Sequence, residues 1–173
     1  MALPELTAVG IALELNLTMT IATCSHGDGA ARGEGMGDSA GDGIMDSKTS
    51  GAGDALCRCG VRVRVGNQGS EWTFVGINLL SDEVVVDRSH SSTARVARQT
   101  VAMPSDAPAR SRSYTLRVFV DHSVVTVFST SGKVLTTRVY PSPESTSVLL
   151  ESTGTKSVFH VSAWGLSQPI SKE

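Results

Sequence analysis

The stretch LRVFVDHSVVTVFSTSGKVLTTRVYP, residues 116–141, decides how this chain folds. Two apolar runs, 116–120 and 124–128, flank the polar trio Asp121-His122-Ser123. A third run ends in Thr137-Arg138-Val139-Tyr140-Pro141. Short runs of branched and aromatic residues, broken by polar turn residues, predict a β-meander with two turns. Alternation within the first two runs is imperfect, so both faces of those strands are expected to be partly covered.

The same pattern extends outward. Leu13-Glu14-Leu15-Asn16-Leu17-Thr18-Met19-Thr20-Ile21 alternates apolar and polar residues, as a strand with one wet face does. Further strands are expected at 61–65, 71–77, 83–86, 147–151 and 157–164, with Trp72, Phe74 and Gly76 on one side of theirs. No segment carries a helical stripe. The fold class is therefore all-β, a two-sheet antiparallel β-sandwich. Its expected core is Leu13, Leu15, Leu17, Trp72, Phe74, Val118, Val125, Val127, Val139, Leu149, Phe159 and Trp164.

Residues 24–55 differ in kind. Gly, Ala, Ser and Asp dominate, and no aromatic residue occurs. Such a segment buries too little apolar surface to offset its ordering entropy, and reads as a flexible, disordered insertion. Loop closure costs rise slowly with length, so a sheet tolerates it. The expected organisation is one domain over 1–166, interrupted at 24–55, with a loose tail at 167–173. Asp38, Asp42 and Asp46 in the insertion lack the spacing of a calcium loop. Residues 93–113, with Pro104, Pro108 and Arg95, Arg98, Arg110 and Arg112, read as a loop or irregular edge.

At 173 residues the chain is long enough for a proper core. A net charge of −2 argues against nucleic acid as the main partner, and no apolar segment is long enough to span a membrane as a helix. No basic start of a signal peptide is visible. The three cysteines, Cys24, Cys57 and Cys59, form no C-x-x-C pair; the expectation is free, buried thiols, with Cys57 and Cys59 on one strand face. No metal site or cofactor is expected. Asn16-Leu17-Thr18 is an N-glycosylation sequon, which matters only in a secreted protein.

The segment from Leu116 to Val125, then Phe128, then Thr137-Arg138-Val139-Tyr140-Pro141, resembles the C-terminal β-sandwich module of glycoside hydrolase family 32, the family of invertases and fructan hydrolases. Val86-Asp87-Arg88-Ser89 with Ser91, Gly60-Val61-Arg62-Val63-Arg64 and Ala163-Trp164-Gly165-Leu166 resemble further module segments in the right order. The resemblance covers 5–22 and 56–166. It implies a jelly-roll (concanavalin- or galectin-like) sandwich. Thr126 stands where the family usually carries an acidic residue, so an ion pair assigned there by analogy is in doubt. Catalysis in this family resembles a two-carboxylate reaction in an N-terminal five-bladed propeller, with motifs Asn-Asp-Pro, Arg-Asp-Pro and Glu-Cys. None of these strings occurs here, so no catalytic residue is assigned and the chain alone is expected to be inactive on sucrose and fructans.

Asp121, His122 and Ser123 are the residue types of a hydrolytic triad. A triad needs them to converge from separate positions, and three consecutive turn residues diverge. Asp87, Arg88 and Ser89, with Asp121, His122, Arg138 and Tyr140, are candidates for contact with a sugar or a partner domain; for Asp87 to Ser89 the plainer reading is local ion pairing. Arg138 and Tyr140 share a strand face and form either a polar platform or a cover for the sheet edge. Trp72, Tyr114 and Tyr140 are the aromatics whose exposure would matter for sugar binding.

The leading expectation is a non-catalytic accessory module that packs against and stabilises a catalytic β-propeller, with fructose-containing saccharides and a homodimer as further partners. The alternative is a free-standing lectin-like carbohydrate-binding module. An enzyme in its own right is the third reading, and no sequence feature favours it. The resemblance implies a secreted or vacuolar protein.

Overall fold

The alternation in the first long strand sorts its residues cleanly by face. In β2 (Ala12–Cys24), Leu13, Leu15, Leu17, Met19 and Ile21 are buried, while Asn16 and Thr20 are exposed on the other side. The structure, a computed structural model, describes residues 5–6, 12–24, 57–66, 69–92, 100–105 and 113–166. The remaining strands are β1 (Glu5–Leu6), β3 (Arg58–Val65), β4 (Thr73–Asn78), β5 (Glu83–Asp87), β6 (Val101–Pro104), β7 (Ser113–Asp121), β8 (Val124–Ser129), β9 (Val134–Arg138), β10 (Ser147–Thr153) and β11 (Thr155–Gly165).

Two antiparallel sheets form the expected β-sandwich. One has six strands in the order β1-β10-β3-β4-β5-β6, the other five in the order β11-β2-β7-β8-β9. Between them lie the β2 residues, Cys59, Val61 and Val63 of β3, Val75 and Ile77 of β4, Val84 and Val86 of β5, and Val118, Val120, Val125 and Val127 of the meander. Each such side chain contributes about 1.5–3 kcal/mol relative to an exposed one. The register shows why the meander holds: Val118 faces Val127, and Val127 faces Leu135, so three inward side chains form one row.

Four members of the expected core need correction. Trp72 and Phe74 are buried, but on the outward face of the six-stranded sheet, with Val65, Val85 and Leu149. Phe74 pairs across the ladder with Arg62 and Asp87, whose neighbours Val61 and Val86 point inward; the period of two therefore turns Phe74 outward. Leu149 is only partly buried and belongs to this second cluster. Trp164 is 50% exposed, on the outer face of the five-stranded sheet. Gly76 must be glycine: a Cβ there would strike the Cys59 carbonyl and come within 2.6 Å of the Phe74 ring.

Within 93–113, expected as a loop or irregular edge, a short strand, β6, pairs with β5 at the edge of its sheet. Pro104 closes it, the position where a missing N–H costs no ladder bond. The cysteine expectation also fails in part. Cys24, at the end of β2, and Cys57, just before β3, form a disulfide with Cα atoms 6.1 Å apart. It joins the two sheets at one end of the sandwich. Sequence spacing could not reveal it, because residues far apart in the chain meet there. Cys59 alone is free; burial pushes its thiol up to about 11, against the opposing hydrogen bond of Ser157. Of the insertion expected at 24–55, Cys24 ends β2, and residues 25–55 with Asp38, Asp42 and Asp46 lie outside the described residues, as do Arg95, Arg98, Arg110, Arg112 and the tail at 167–173.

Candidate functional site: the end of the sandwich around Tyr140

The hairpin turn between β7 and β8 sits at the opposite end from the disulfide. Asp121 pairs with Val124, leaving His122 and Ser123 as a two-residue loop. His122 has φ 49°, the left-handed conformation that suits tight hairpins. The Asp121 carboxylate lies 2.6 Å from His122 Nδ1, and both side chains are exposed. The turn then holds the chain beyond β9, because Val139 N donates to Ser123 O at 2.8 Å.

This tether places Tyr140, Pro141 and Pro143 beside the turn. Together with Arg64, His122 and Ser123 they line an open cleft of about 330 Å³. Tyr140 is 46% exposed. Arg64 is the cleft's buried floor. Its φ of 54° coincides with a register break, where residues 63 and 64 oppose Val148 alone, so a β-bulge turns this side chain out of the strand's alternation. Arg64 Nη2 donates to Ser142 O at 3.3 Å. Burial lowers its pKa and the charge of Glu71 works to raise it. Glu71 in turn accepts from Ser142 N at 2.9 Å and from the Ser145 hydroxyl. An arginine and a glutamate thus hold one proline-bearing strap from below.

Asp87, Arg88 and Ser89 reach the same end. Arg88 donates to Arg138 O at 3.1 Å. Asp87 accepts from Ser89 N at 2.9 Å and from Arg58 at 3.1 Å. Burial acts to raise the Asp87 pKa, but the Ser89 amide and hydroxyl and the Arg58 guanidinium outweigh it, leaving the carboxyl below its usual range. Arg58 also donates to Glu151 at 2.8 Å, and Arg62 donates to the other oxygen of Glu151. The guanidinium of Arg62 lies 4.1 Å from the Trp72 ring centre and that of Arg58 lies 4.3 Å from the Phe74 ring. His90 stacks on Trp72 at 4.2 Å. The outer face of the six-stranded sheet is therefore closed here by the chain's own charged and aromatic side chains.

Among the described residues, none packs over the outer face of the five-stranded sheet. Phe128, Val134, Val158 and Trp164 are exposed on it. Asn16 lies between Ser162 and Arg117 on the same face. Arg117 pairs with Glu14 at 2.6 Å and lies over Phe119. Thr126, in place of the acid, exchanges a hydrogen bond of 3.1 Å with Thr136.

The structure thus brings Asp87, Arg88, Ser89, Asp121, His122, Arg138 and Tyr140 to one end of the sandwich, and leaves Asn16 on a face. Of the aromatics singled out for exposure, Tyr140 qualifies; Trp72 is 7% exposed and Tyr114 is partly buried. Sequence reasoning missed Arg58, Arg64, Glu71 and Glu151. The alternating arginines of 58–64, on a strand rich in valine, were the available signal. The cleft offers a guanidinium, an imidazole, a phenol ring and two prolines, a set suited to holding a ligand or a partner segment.

The family described as "Glycosyl hydrolases family 32 C terminal" matches residues 5–165. Among curated protein sequences, none matches. Among solved structures, the chain is similar to an exo-inulinase from Aspergillus awamori, with TM-score 0.66 and 20% identity, over 93% of this chain and 26% of that one. It is also similar to fructan 1-exohydrolase IIa from Cichorium intybus, with TM-score 0.66 and 19% identity, over 95% of this chain and 33% of that one. A fructosyltransferase from A. japonicus gives TM-score 0.65 and 17% identity, over 94% of this chain and 24% of that one. Identities this low show the fold alone. The chain spans between 24% and 33% of these relatives' lengths.

Proposed function

Because the chain belongs to the C-terminal domain family of glycosyl hydrolases family 32, we propose that it is a non-catalytic accessory module that docks a catalytic propeller through the Tyr140 end of the sandwich. One observation supports this reading above others. Two of the segments that resemble the family, the turn at His122-Ser123 and the strap at Tyr140-Pro141, line an open cleft, and Arg88 of a third bonds Arg138 O beside it. An exposed tyrosine over a rigid, proline-lined hollow is the kind of anchor site that dominates interface energetics. The assembled protein would act on fructose-containing saccharides, the chemistry named for the exo-inulinase and fructan exohydrolase relatives. Mixing the chain with a separately produced family 32 propeller and measuring heat on titration tests the docking; an absence of association at micromolar concentrations sinks it.

A second reading, a lectin-like module, draws on the same half-exposed Tyr140 beside Pro141 and Pro143. An aromatic face at a shallow cleft suits sugar rings. Titration of the isolated chain with sucrose and with fructans decides it, and no binding ends it.

A further inference from the structure

We propose that Asn16 carries an N-linked glycan that lies across the outer face of the five-stranded sheet. Two independent observations lead here. Asn16 opens the sequon Asn16-Leu17-Thr18 and is exposed, in the middle of a strand whose opposite face is core. The Cys24–Cys57 disulfide belongs to an oxidising compartment, the one in which such sequons are modified.

The surroundings of Asn16 give the glycan something to cover. Across the ladder run Ser162, Asn16, Arg117, Phe128 and Val134, and the adjacent row runs Trp164, Glu14, Phe119 and Thr126. Directly paired side chains sit about 5 Å apart and diagonal ones about 7 Å. The first sugar ring on Asn16 therefore reaches Trp164, while Phe119 is already covered by Arg117. Four of the seven large apolar side chains exposed among the described residues, Phe128, Val134, Val158 and Trp164, lie on this face. Trp164 is the one diagonal to Asn16; Phe128 and Val134 lie beyond Arg117 in Asn16's own row, and Val158 lies further along β11. A sugar ring's C–H face packs on an aromatic ring while its hydroxyls stay in water, so a glycan covers this surface without burying the charged Arg117–Glu14 pair.

The modification is a glycosyl transfer. The side-chain nitrogen of Asn16 forms a bond to the anomeric carbon of an oligosaccharide donated by a polyisoprenyl pyrophosphate. The anomeric carbon–oxygen bond breaks, the lipid pyrophosphate leaves with the electron pair, and the amide loses one proton. The acceptor needs Thr18, whose hydroxyl in the folded chain bonds Thr115 at 3.0 Å; transfer therefore precedes pairing of β2 with β7. The proposal does not depend on docking at the Tyr140 end, which lies on a different surface.

The test is secretion of the full chain from a eukaryotic host, followed by intact mass before and after enzymatic removal of N-glycans. The expected result is one glycan, absent from Asn16→Gln. Acrylamide quenching of tryptophan emission is then compared for the two forms. Trp72 is buried, so the measurement reads Trp164, and quenching is expected to be weaker with the glycan in place. A chain that emerges unmodified overturns the proposal. So does a modified chain whose Trp164 is quenched equally with and without the glycan; a dimeric mass by light scattering would then assign the face to a second copy of this chain.

Discussion

The guanidinium of Arg88, at the end of the six-stranded sheet, donates to the carbonyl oxygen of Arg138, at the end of the five-stranded sheet, at 3.1 Å. Two segments that are 50 residues apart in the chain are thereby set side by side. The strap that follows, with Tyr140, is in turn held by Ser123, Arg64 and Glu71. The end of the sandwich is thus a rigid platform on which an exposed aromatic is fixed, and that rigidity lowers the entropy cost of binding against it.

Loss of Glu151 should cost far more than loss of Glu14. The Glu151 side chain is 3% exposed and bonds two arginines, themselves 12% and 25% exposed. Removing one partner of a buried ion pair leaves uncompensated charge, at about 3–5 kcal/mol. Arg117, the partner of Glu14, is 58% exposed, and such a pair contributes about 0–1 kcal/mol. Urea unfolding of Glu151→Ala and Glu14→Ala checks this. Equal shifts in the two midpoints would contradict the buried network.

Acid should release a contribution from Asp87. Its carboxyl lies below the ordinary 3.8 in the folded chain, so between the folded and ordinary values the unfolded state binds more protons. The stability it contributes is fully present well above pH 3.8 and is lost as pH falls through the folded value. Asp87→Asn is expected to be less stable near neutrality and to show a flatter acid limb. Parallel curves for the two proteins below pH 3.8 would show that Asp87 plays no such part.

Thiol counting tests the covalent joint between the sheets. The unfolded, unreduced chain should react at Cys59 alone, and at all three cysteines after reduction. With partners 33 residues apart, the bridge should stabilise by about 3–4 kcal/mol in the chain-entropy treatment. Reduction without loss of stability would contradict that figure.

The strands were legible because their chemistry is local. A period of two with branched residues identifies β2 or β3 without knowledge of the partner strand. What was not legible depends on pairing. Trp72 and Phe74 are as apolar as any core residue, and the face of Phe74 is set by register against Arg62 and Asp87. The Cys24–Cys57 bridge needs two sheets to meet, and Arg64 leaves the alternation of its strand at a bulge formed against β10. At the candidate site, the turn and the Arg138–Tyr140 segment stood out in the sequence. The buried Arg64 and Glu71 beneath them did not, since charged residues in strands usually face water.

The most direct measurement is calorimetric titration of a family 32 propeller with the chain and with Tyr140→Ala. Tyr140 is 46% exposed, so its truncation should leave the unfolding midpoint nearly unchanged. Removing a central aromatic anchor costs about 2 kcal/mol or more, which corresponds to weakening of at least about thirtyfold. That loss of affinity with stability intact is the predicted result. Equal affinity for the two proteins would contradict docking through the Tyr140 end.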